Sequence, residues 1–119
     1  MQKINVGIVG GAGYTGGELL RVLLRHPQVH INFVHSTSSA GQLVSAVHTD
    51  LLGDTELVFT NNLIDNVDLL FLCVGHSEAS QFLENHSIAT TTKIIDLSQD
   101  FRCAPSQQQG SRNFIYGLP

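Results

Sequence analysis

Four glycines fall within seven residues near the amino terminus, in the segment GGAGYTG that begins at Gly10. The segment fits the spacing G-x-G-x-x-G from Gly11 and also G-x-x-G-x-x-G from Gly10, and it separates an apolar run from a helical pattern. Glycine allows a tight turn and a close approach of backbone to ligand, and a helix start offers unpaired N–H groups with about half a unit of positive charge. The alternative is a tight strand-to-helix turn that binds nothing. The spacing predicts a pyrophosphate-binding turn formed by Gly10, Gly11, Gly13, Tyr14, Thr15 and Gly16.

Hydroxyl side chains follow the second predicted strand, about twenty residues past the glycines, where dinucleotide sites recognise the adenosine ribose. NAD-specific sites carry an acid there for the ribose 2′-hydroxyl. This chain has Ser36, Thr37 and Ser38 instead, with no carboxylate between His35 and Ser39. Hydroxyls donate to a 2′-phosphate and nothing there repels it, so the sequence favours NADP over NAD as the cofactor. A polar turn without a binding role is the alternative.

Two further loops carry candidate site residues. Gly75 and His76 follow an apolar run, at the sheet edge where open α/β folds bind ligands, which predicts contact with the cofactor ribose or nicotinamide. A solvated loop histidine explains His76 equally well. Arg102 is the candidate for an anionic substrate, because its planar guanidinium suits carboxylate and phosphate groups. A local Asp100–Arg102 pair that stabilises a turn is the alternative there.

The sequence offers no nucleophile and no metal site. Cys73 ends an apolar run and is typical of a small buried side chain, and Cys103 has no Cys–His signature nearby. We therefore assign no catalytic role to either cysteine. The six histidines lack the short paired spacings of zinc ligands, since Pro27 interrupts the helical spacing of His26 and His30.

Extended and helical patterns alternate along the chain and position these residues. Strands are predicted at Lys3–Val9, His30–His35, Glu56–Thr60, Leu69–Val74 and Lys93–Leu97, with a last one at Phe114–Tyr116. Helices are predicted at Gly13–Arg25 and Ser77–His86, with a shorter one through Leu43–Leu51 and a surface loop at Ser106–Gly110. Continuous apolar strands between helices predict one α/β domain over residues 1–119, a Rossmann-type doubly wound, mostly parallel sheet with helices on both faces.

Composition excludes several classes of protein. Among 119 residues, 42% are hydrophobic and 13% charged, which excludes intrinsic disorder. The net charge is −4 and no Lys or Arg lies between Arg25 and Lys93, so a nucleic-acid partner is not expected. No apolar run approaches the roughly 20 residues of a membrane span. Without a signal-peptide pattern or a cysteine framework, the sequence predicts a cytoplasmic location.

Several longer segments carry a resemblance to a known family. They are VGIVGGAGYTGGELLRVLLRHP, STSSAG followed by VH, LLFLCVGHSEAS, IIDLSQDFR and YGLP. Together they cover nearly the whole chain, and it resembles the amino-terminal domain of the N-acetyl-gamma-glutamyl-phosphate reductases, relatives of aspartate-semialdehyde dehydrogenase. The sequence departs from that family at the Ser36–Ser38 turn, where an Arg is common, and at Gly75, where a Pro is common.

The resemblance implies a Rossmann domain that binds NADP, joined in a homo-oligomeric enzyme to a catalytic domain absent from this chain. It implies the NADPH-dependent reduction of N-acetylglutamyl phosphate to the semialdehyde in arginine biosynthesis, through a cysteine thioester. In the family the nucleophilic cysteine lies in a Pro-Gly-Cys segment beyond the YGLP stretch, which here ends at Pro119. The 119 residues alone are therefore expected to be inactive. The alternatives are an aspartate-semialdehyde dehydrogenase-like domain and a non-catalytic module that senses dinucleotides.

Overall fold

A four-stranded parallel sheet forms the centre of the fold. The computed structural model describes residues 3–62, 67–75, 78–86, 88, 91–97, 108–109 and 112–113. The strands are β1 (Ile4–Val9), β2 (Val29–His35), β3 (Leu69–Leu72) and β4 (Lys93–Asp96), in the spatial order β2-β1-β3-β4. The chain leaves β1 for β2 on one side and returns to β3 on the other. The strand order therefore reverses between β1 and β3, which opens a crevice at their carboxyl ends.

Helices cover both faces of this sheet. The first face holds α1 (Tyr14–Leu23) and α2 (Val44–Val47), and the second holds α3 (Glu78–Asn85). On the first face Leu20, Leu23 and Val44 join a buried cluster with Val6 and Ile8. On the second face Ala79 and Phe82 pack with Val9, Leu70 and Leu72. The predicted α/β fold with helices on both faces of a parallel sheet is confirmed.

The periodicity of α1 explains which side it buries. Leu20 and Leu23 are buried, whereas Val22 between them is 64% exposed. Burying a leucine contributes about 1.5–3 kcal/mol, so this narrow stripe holds the helix to the sheet. The helix ends at Leu23, two residues before the predicted end at Arg25. Its last turn tightens there, because the Arg25 N–H donates to the Val22 carbonyl three residues back, ahead of Pro27.

The strand predicted at Glu56–Thr60 is wrong as a continuous element. Only two isolated bridges occur there, an antiparallel one between Val58 and Leu43 and a parallel one between Thr60 and His35. The backbone of this segment forms hydrogen bonds with two different parts of the chain. Leu57 and Phe59 bond to residues 41–44, and Thr60 bonds to the edge of β2. Two different partners prevent one ladder from forming, although the apolar pattern is that of a strand.

Smaller differences concern the ends of elements and the carboxyl-terminal part. The remaining strands and α3 start or end one to two residues from their predicted bounds, whereas the helix predicted through Leu43–Leu51 divides into α2, which ends at Val47, and a 3-10 helix at Thr49–Leu51. The loop predicted at Ser106–Gly110 contains a two-residue strand, β5 (Gln108–Gln109), which pairs antiparallel with β6 (Arg112–Asn113). The predicted strand at Phe114–Tyr116 and the residue Ser77 lie outside the described residues.

No helix in the described ranges has the length and apolar character needed to cross a membrane.

The side chain of Phe59 anchors the irregular segment 56–60 to the core, and a substitution can test this role. It is 1% exposed in the cluster on the first face, whereas the neighbouring Val58 is 47% exposed. We expect Phe59→Ala to lower the free energy of unfolding by about 3–5 kcal/mol, because it leaves a cavity in that cluster. Val58→Ala is the matched control and should change it by less than about 1 kcal/mol. Urea denaturation followed by circular dichroism measures both, and equal losses would contradict the anchoring role.

Candidate functional site

A cleft of about 590 Å³ opens at the carboxyl ends of β1, β2 and β3, beside α3. Parallel strands present their following loops at one sheet edge, so segments far apart in sequence meet there. Four parts of the chain line the cleft: the glycine turn, the hydroxyl turn after β2, the end of β3 and one side of α3. The lining residues used below are Gly10, Ala12, Gly13, His35, Ser36, Thr37, Ser38, Asn61, Cys73, Gly75, Glu78, Gln81, Phe82, Asn85 and His86.

The glycine turn divides its amides into two groups. The N–H groups of Gly10 and Gly11 both donate to the His35 carbonyl, at 2.9 and 3.0 Å, and are closed to a ligand. The N–H groups from Ala12 to Gly16 have no acceptor among the described residues, and Gly13 caps α1 without a side-chain hydrogen bond. Unpaired N–H groups at a helix start bind anions. The N–H groups that remain open to a ligand are therefore those in the second half of the turn.

The glycines of the turn also differ in how much room a side chain would have. Gly10 has a φ of +78°, and a Cβ on Gly11 would lie 2.1 Å from Val34 Cγ1. A Cβ on Gly16 would lie 2.6 Å from the Gly11 Cα, so the helix can approach the turn only without a side chain there. Gly13 is exposed, and its Cβ would meet nothing closer than the Gly10 carbonyl at 4.0 Å. Gly10, Gly11 and Gly16 thus serve packing, and Gly13 leaves open space beside the cleft.

Two other predicted residues of the turn contribute no side chain to the cleft. Tyr14 is 83% exposed and Thr15 is also exposed, and neither lines the cleft. What Tyr14 and Thr15 offer a ligand is their backbone N–H groups in the first turn of α1.

The predicted hydroxyl turn lies directly beside the glycine turn. Ser36 is buried, and its Oγ accepts a hydrogen bond of 3.1 Å from the Ser39 N–H. Its Oγ also lies 3.4 Å from the Ser38 Oγ. Thr37 and Ser38 are exposed, and all three hydroxyl residues line the cleft. The structure brings them together with the glycine turn because the His35 carbonyl, just before them, holds Gly10 and Gly11.

One side of α3 lines the cleft and was missed by the sequence reasoning. Glu78, Gln81, Phe82 and Asn85 recur at the spacing of one helical face. The Phe82 ring stacks on the His86 ring at a centroid distance of 4.3 Å and meets the His35 ring edge-on at 5.8 Å. The sequence contained one indication of this role: the polar residues 78, 81 and 85 share one face of the helix. Asn61, next to the Thr60 bridge, was also missed.

His35 lines the cleft between the hydroxyl turn and α3. It is buried at the end of β2, and that burial, with a smaller contribution from His86, lowers the pKa of His35. The ring is therefore neutral at pH 7.

The end of β3 places Gly75 and Cys73 in the cleft. The Gly75 N–H donates to Glu78 Oε2 at 3.1 Å, and the Glu78 N–H donates back to the Gly75 carbonyl at 3.1 Å. This reciprocal pair resembles a capping box and fixes the start of α3. Burial, with a smaller contribution from Asp96, raises the pKa of the Cys73 thiol to about 12. His76 and Arg102, the other predicted site residues, lie outside the described residues.

Comparison with known proteins gives one family and a set of close relatives. The model of the family described as semialdehyde dehydrogenase, NAD binding domain, matches residues 5–119. The chain is 50% identical over 116 residues to the N-acetyl-gamma-glutamyl-phosphate reductase of Flavobacterium johnsoniae, covering 98% of this chain and 36% of that protein. It is 47% identical over 116 residues to the reductase of the same name from Christiangramia forsetii, covering 98% and 35%. The chain thus spans about a third of the length of the curated relatives it matches, and the resemblance read from its motifs is confirmed.

Solved structures share the fold at low sequence identity. The crystal structure of aspartate semialdehyde dehydrogenase with NADP from Candida albicans matches with a TM-score of 0.65 and 15% identity, over 84% of this chain and 31% of that one. The crystal structure of GenD2 from gentamicin A biosynthesis in complex with NAD matches with a TM-score of 0.54 and 22% identity, over 71% and 24%. At these identities the likeness concerns the fold alone.

The thiol of Cys73 is predicted to be unreactive. Since the thiolate is the reacting form, a pKa of about 12 in place of 9.0 makes iodoacetamide alkylation at pH 8 about a thousandfold slower in the folded chain than in urea. A Cys103→Ser variant leaves Cys73 as the single cysteine, and intact mass spectrometry follows the rate. Similar rates in the folded and unfolded chain would contradict the raised pKa, and a faster rate in the folded chain would make Cys73 a candidate nucleophile.

Proposed function

The chain belongs to the semialdehyde dehydrogenase family through its NAD-binding domain, and on that premise we propose that it is the NADP-binding portion of an N-acetyl-gamma-glutamyl-phosphate reductase. The proposal takes its substrate from relatives at 47–50% identity, whose name states the acyl phosphate that they reduce. The reaction is the NADPH-dependent conversion of N-acetylglutamyl phosphate to N-acetylglutamate semialdehyde, with release of phosphate, in arginine biosynthesis.

One observation carries the assignment of the cleft to a dinucleotide. Ala12 and Gly13 line the crevice where the strand order reverses, and no described residue accepts a hydrogen bond from their amides. A diphosphate carries oxygen acceptors that satisfy such donors, and the positive end of α1 favours its charge. The open space at Gly13 supports the same assignment, since a ligand can approach the backbone there.

The turn after β2 favours NADP over NAD. Among the described residues that line the cleft, Glu78 carries the single carboxylate, and its Oε2 accepts the Gly75 N–H. The hydroxyls of Thr37 and Ser38 are exposed beside the buried Ser36. Nothing in this turn repels a 2′-phosphate, and three hydroxyls offer hydrogen bonds to it, each contributing about 0.5–1.5 kcal/mol.

The chain's own residues then have separate tasks in the proposed complex. The amides from Ala12 to Gly16 hold the diphosphate, and the hydroxyl turn holds the adenosine end. The stacked rings of Phe82 and His86 provide aromatic surface beside it. Gly75 borders the nicotinamide half, and the sequence-based roles of His76 beside the nicotinamide and of Arg102 with the anionic substrate are kept as part of the proposal. The bound cofactor supplies the hydride.

The nucleophile is proposed to lie outside these 119 residues. Reduction of an acyl phosphate through a thioester needs a thiolate that displaces phosphate, and a thiol with a pKa of about 12 does not supply one at neutral pH. Cys73 also lies in the cleft that the cofactor is proposed to fill. The catalytic and oligomerisation domain is accordingly proposed as a separate part of the enzyme.

The remaining sequence-based expectations stay predictions. They are a homo-oligomeric enzyme in the cytoplasm that binds a small-molecule substrate, without nucleic acid, membrane or a metal ion.

Cofactor preference is tested by thermal shift with NADP and NAD. A ligand at 100 times its dissociation constant stabilises the fold by about 2.7 kcal/mol, which raises Tm by several degrees. We expect NADP to reach that shift at a lower concentration than NAD. Ser38→Asp should weaken the effect of NADP and spare that of NAD, because it places a carboxylate beside the 2′-phosphate.

Thr91→Asp is the matched control for that variant. Thr91 is also an exposed hydroxyl residue, but it precedes β4 at the opposite edge of the sheet and does not line the cleft. It adds the same charge and should leave both shifts unchanged. Equal shifts with NADP and NAD would contradict the preference, and the absence of any shift would contradict the cofactor site itself.

Catalysis by the 119-residue chain is expected to be absent. Mixed with N-acetylglutamyl phosphate and NADPH, it should leave the absorbance of NADPH at the buffer rate, because it supplies no activated thiol. The reductase of Flavobacterium johnsoniae serves as the positive control. Turnover above the buffer rate that Cys73→Ser or Cys103→Ser removes would show that the nucleophile lies within this chain.

A further inference from the structure

His48 contacts the glycine turn from outside the cleft. It lies between α2 and the 3-10 helix, 37 residues from Gly11 in sequence, and it does not line the cleft. Its Nε2 lies 2.7 Å from the Gly11 carbonyl oxygen. A carbonyl oxygen only accepts, so Nε2 carries the hydrogen and donates. The segment after α2 is thereby tied to the turn that carries the unpaired amides.

The imidazole ring is held in place on several sides. A Cβ on Gly17 would lie 2.7 Å from the ring atoms Cε1 and Nδ1, so the ring packs closely against the bare helix backbone. The imidazole also meets the Phe59 ring edge-on at a centroid distance of 6.3 Å. Phe59 is almost fully buried and fixes that side.

The backbone around His48 is anchored as well. The His48 N–H donates to the Val44 carbonyl at 2.8 Å, and the Leu51 N–H donates to the His48 carbonyl at 2.9 Å. The Arg21 side chain on α1 bonds to Asp50 and also to Glu18. The Arg21 guanidinium lowers the pKa of Asp50, so this exposed pair remains charged at neutral pH. The donor therefore comes from a segment whose position relative to α1 is defined.

The consequence for the turn follows from peptide geometry. The Gly11 carbonyl and the Ala12 N–H belong to one planar trans peptide and point in opposite directions. With the carbonyl held at His48, on the side of α1 and α2, the Ala12 N–H points away from that side. Ala12 lines the cleft, and its amide has no acceptor among the described residues. Glycine permits this peptide to rotate more easily than other residues would, so its orientation needs a restraint.

We propose that His48 is a positioning residue that orients the Gly11–Ala12 peptide so that the Ala12 N–H meets the cofactor diphosphate. The inference rests on the proposed function, because it assigns a task within the dinucleotide site. It predicts that loss of the Nε2 donor weakens binding of the diphosphate and leaves the affinity for the adenosine part of the ligand unchanged. A purely structural role in filling the space over Gly17 predicts no such selectivity.

Isothermal titration with two ligands separates these roles. NADP contains the diphosphate, whereas adenosine 2′-monophosphate contains the 2′-phosphate and the base without it. His48→Phe keeps an aromatic ring over Gly17 and removes the donor. We expect it to weaken NADP binding about tenfold and to leave adenosine 2′-monophosphate within about twofold of the wild type. His48→Gln, whose side-chain amide can donate to the Gly11 carbonyl, should recover most of the NADP affinity.

His30→Phe is the matched control. His30 is an exposed histidine on β2, away from the cleft, and its replacement should change neither affinity. Unchanged NADP binding by His48→Phe, or an equal loss for both ligands, would overturn the inference. Failure of the wild type to bind NADP would instead overturn the proposed function, and the inference with it.

NMR spectroscopy of the wild type tests the role of His48 without a substitution, and so does not depend on whether His48→Phe folds. In amide NMR spectra, NADP should shift the Ala12 resonance more than adenosine 2′-monophosphate does. A coupling across the hydrogen bond between His48 Nε2 and the Gly11 carbonyl carbon should persist when NADP is bound. An Ala12 amide that does not respond to NADP, or a coupling that disappears on binding, would overturn the positioning role.

Discussion

The His35 carbonyl accepts hydrogen bonds from the N–H groups of both Gly10 and Gly11, and the geometry of the cleft depends on this pair of bonds. They bend the chain after β1 over the end of β2, which places the glycine turn beside Ser36. They also consume the first two amides of the turn, so the donors available to an anion begin at Ala12. A buried carbonyl that lost these partners would cost about 1–3 kcal/mol, so the bend is stabilised by the fold itself before any ligand arrives.

The glycines of the turn are explained by space more than by flexibility. Gly16 lies inside α1, where glycine costs about 1 kcal/mol relative to alanine in helix propensity. A methyl group there would meet the Gly11 backbone at 2.6 Å, and overpacking against rigid atoms costs about 1–3 kcal/mol. The steric cost equals or exceeds the gain in propensity, so glycine is the better residue at that position. Gly13 has no such neighbour, so packing does not account for its missing side chain, which leaves open space beside the cleft.

The sequence was sufficient to predict the sheet, the main helices and the two loops that meet in the cleft, because each depends on local periodicity and on parallel strands ending at one edge. Two kinds of feature were not predictable in this way. The segment 56–60 has the pattern of a strand, but its hydrogen bonds go to two different partners. The contributions of α3 and of His48 depend on which distant elements touch, and no local pattern specifies that a histidine 37 residues away reaches the Gly11 carbonyl.

The absence of cations among the described lining residues of the cleft changes how an anionic ligand is recognised there. No Lys or Arg occurs between Arg25 and Lys93, and the cleft is lined from within that stretch and from the glycine turn. Among the described lining residues, attraction to the proposed diphosphate comes from N–H groups and the helix dipole, which act within about one turn of the helix. Their effect depends on direction, whereas a lysine ammonium attracts an anion from any side. A peptide plane rotated away from the ligand would therefore remove its donor altogether, and the role proposed for His48 is to oppose such a rotation at Gly11–Ala12 through its contact with the Gly11 carbonyl.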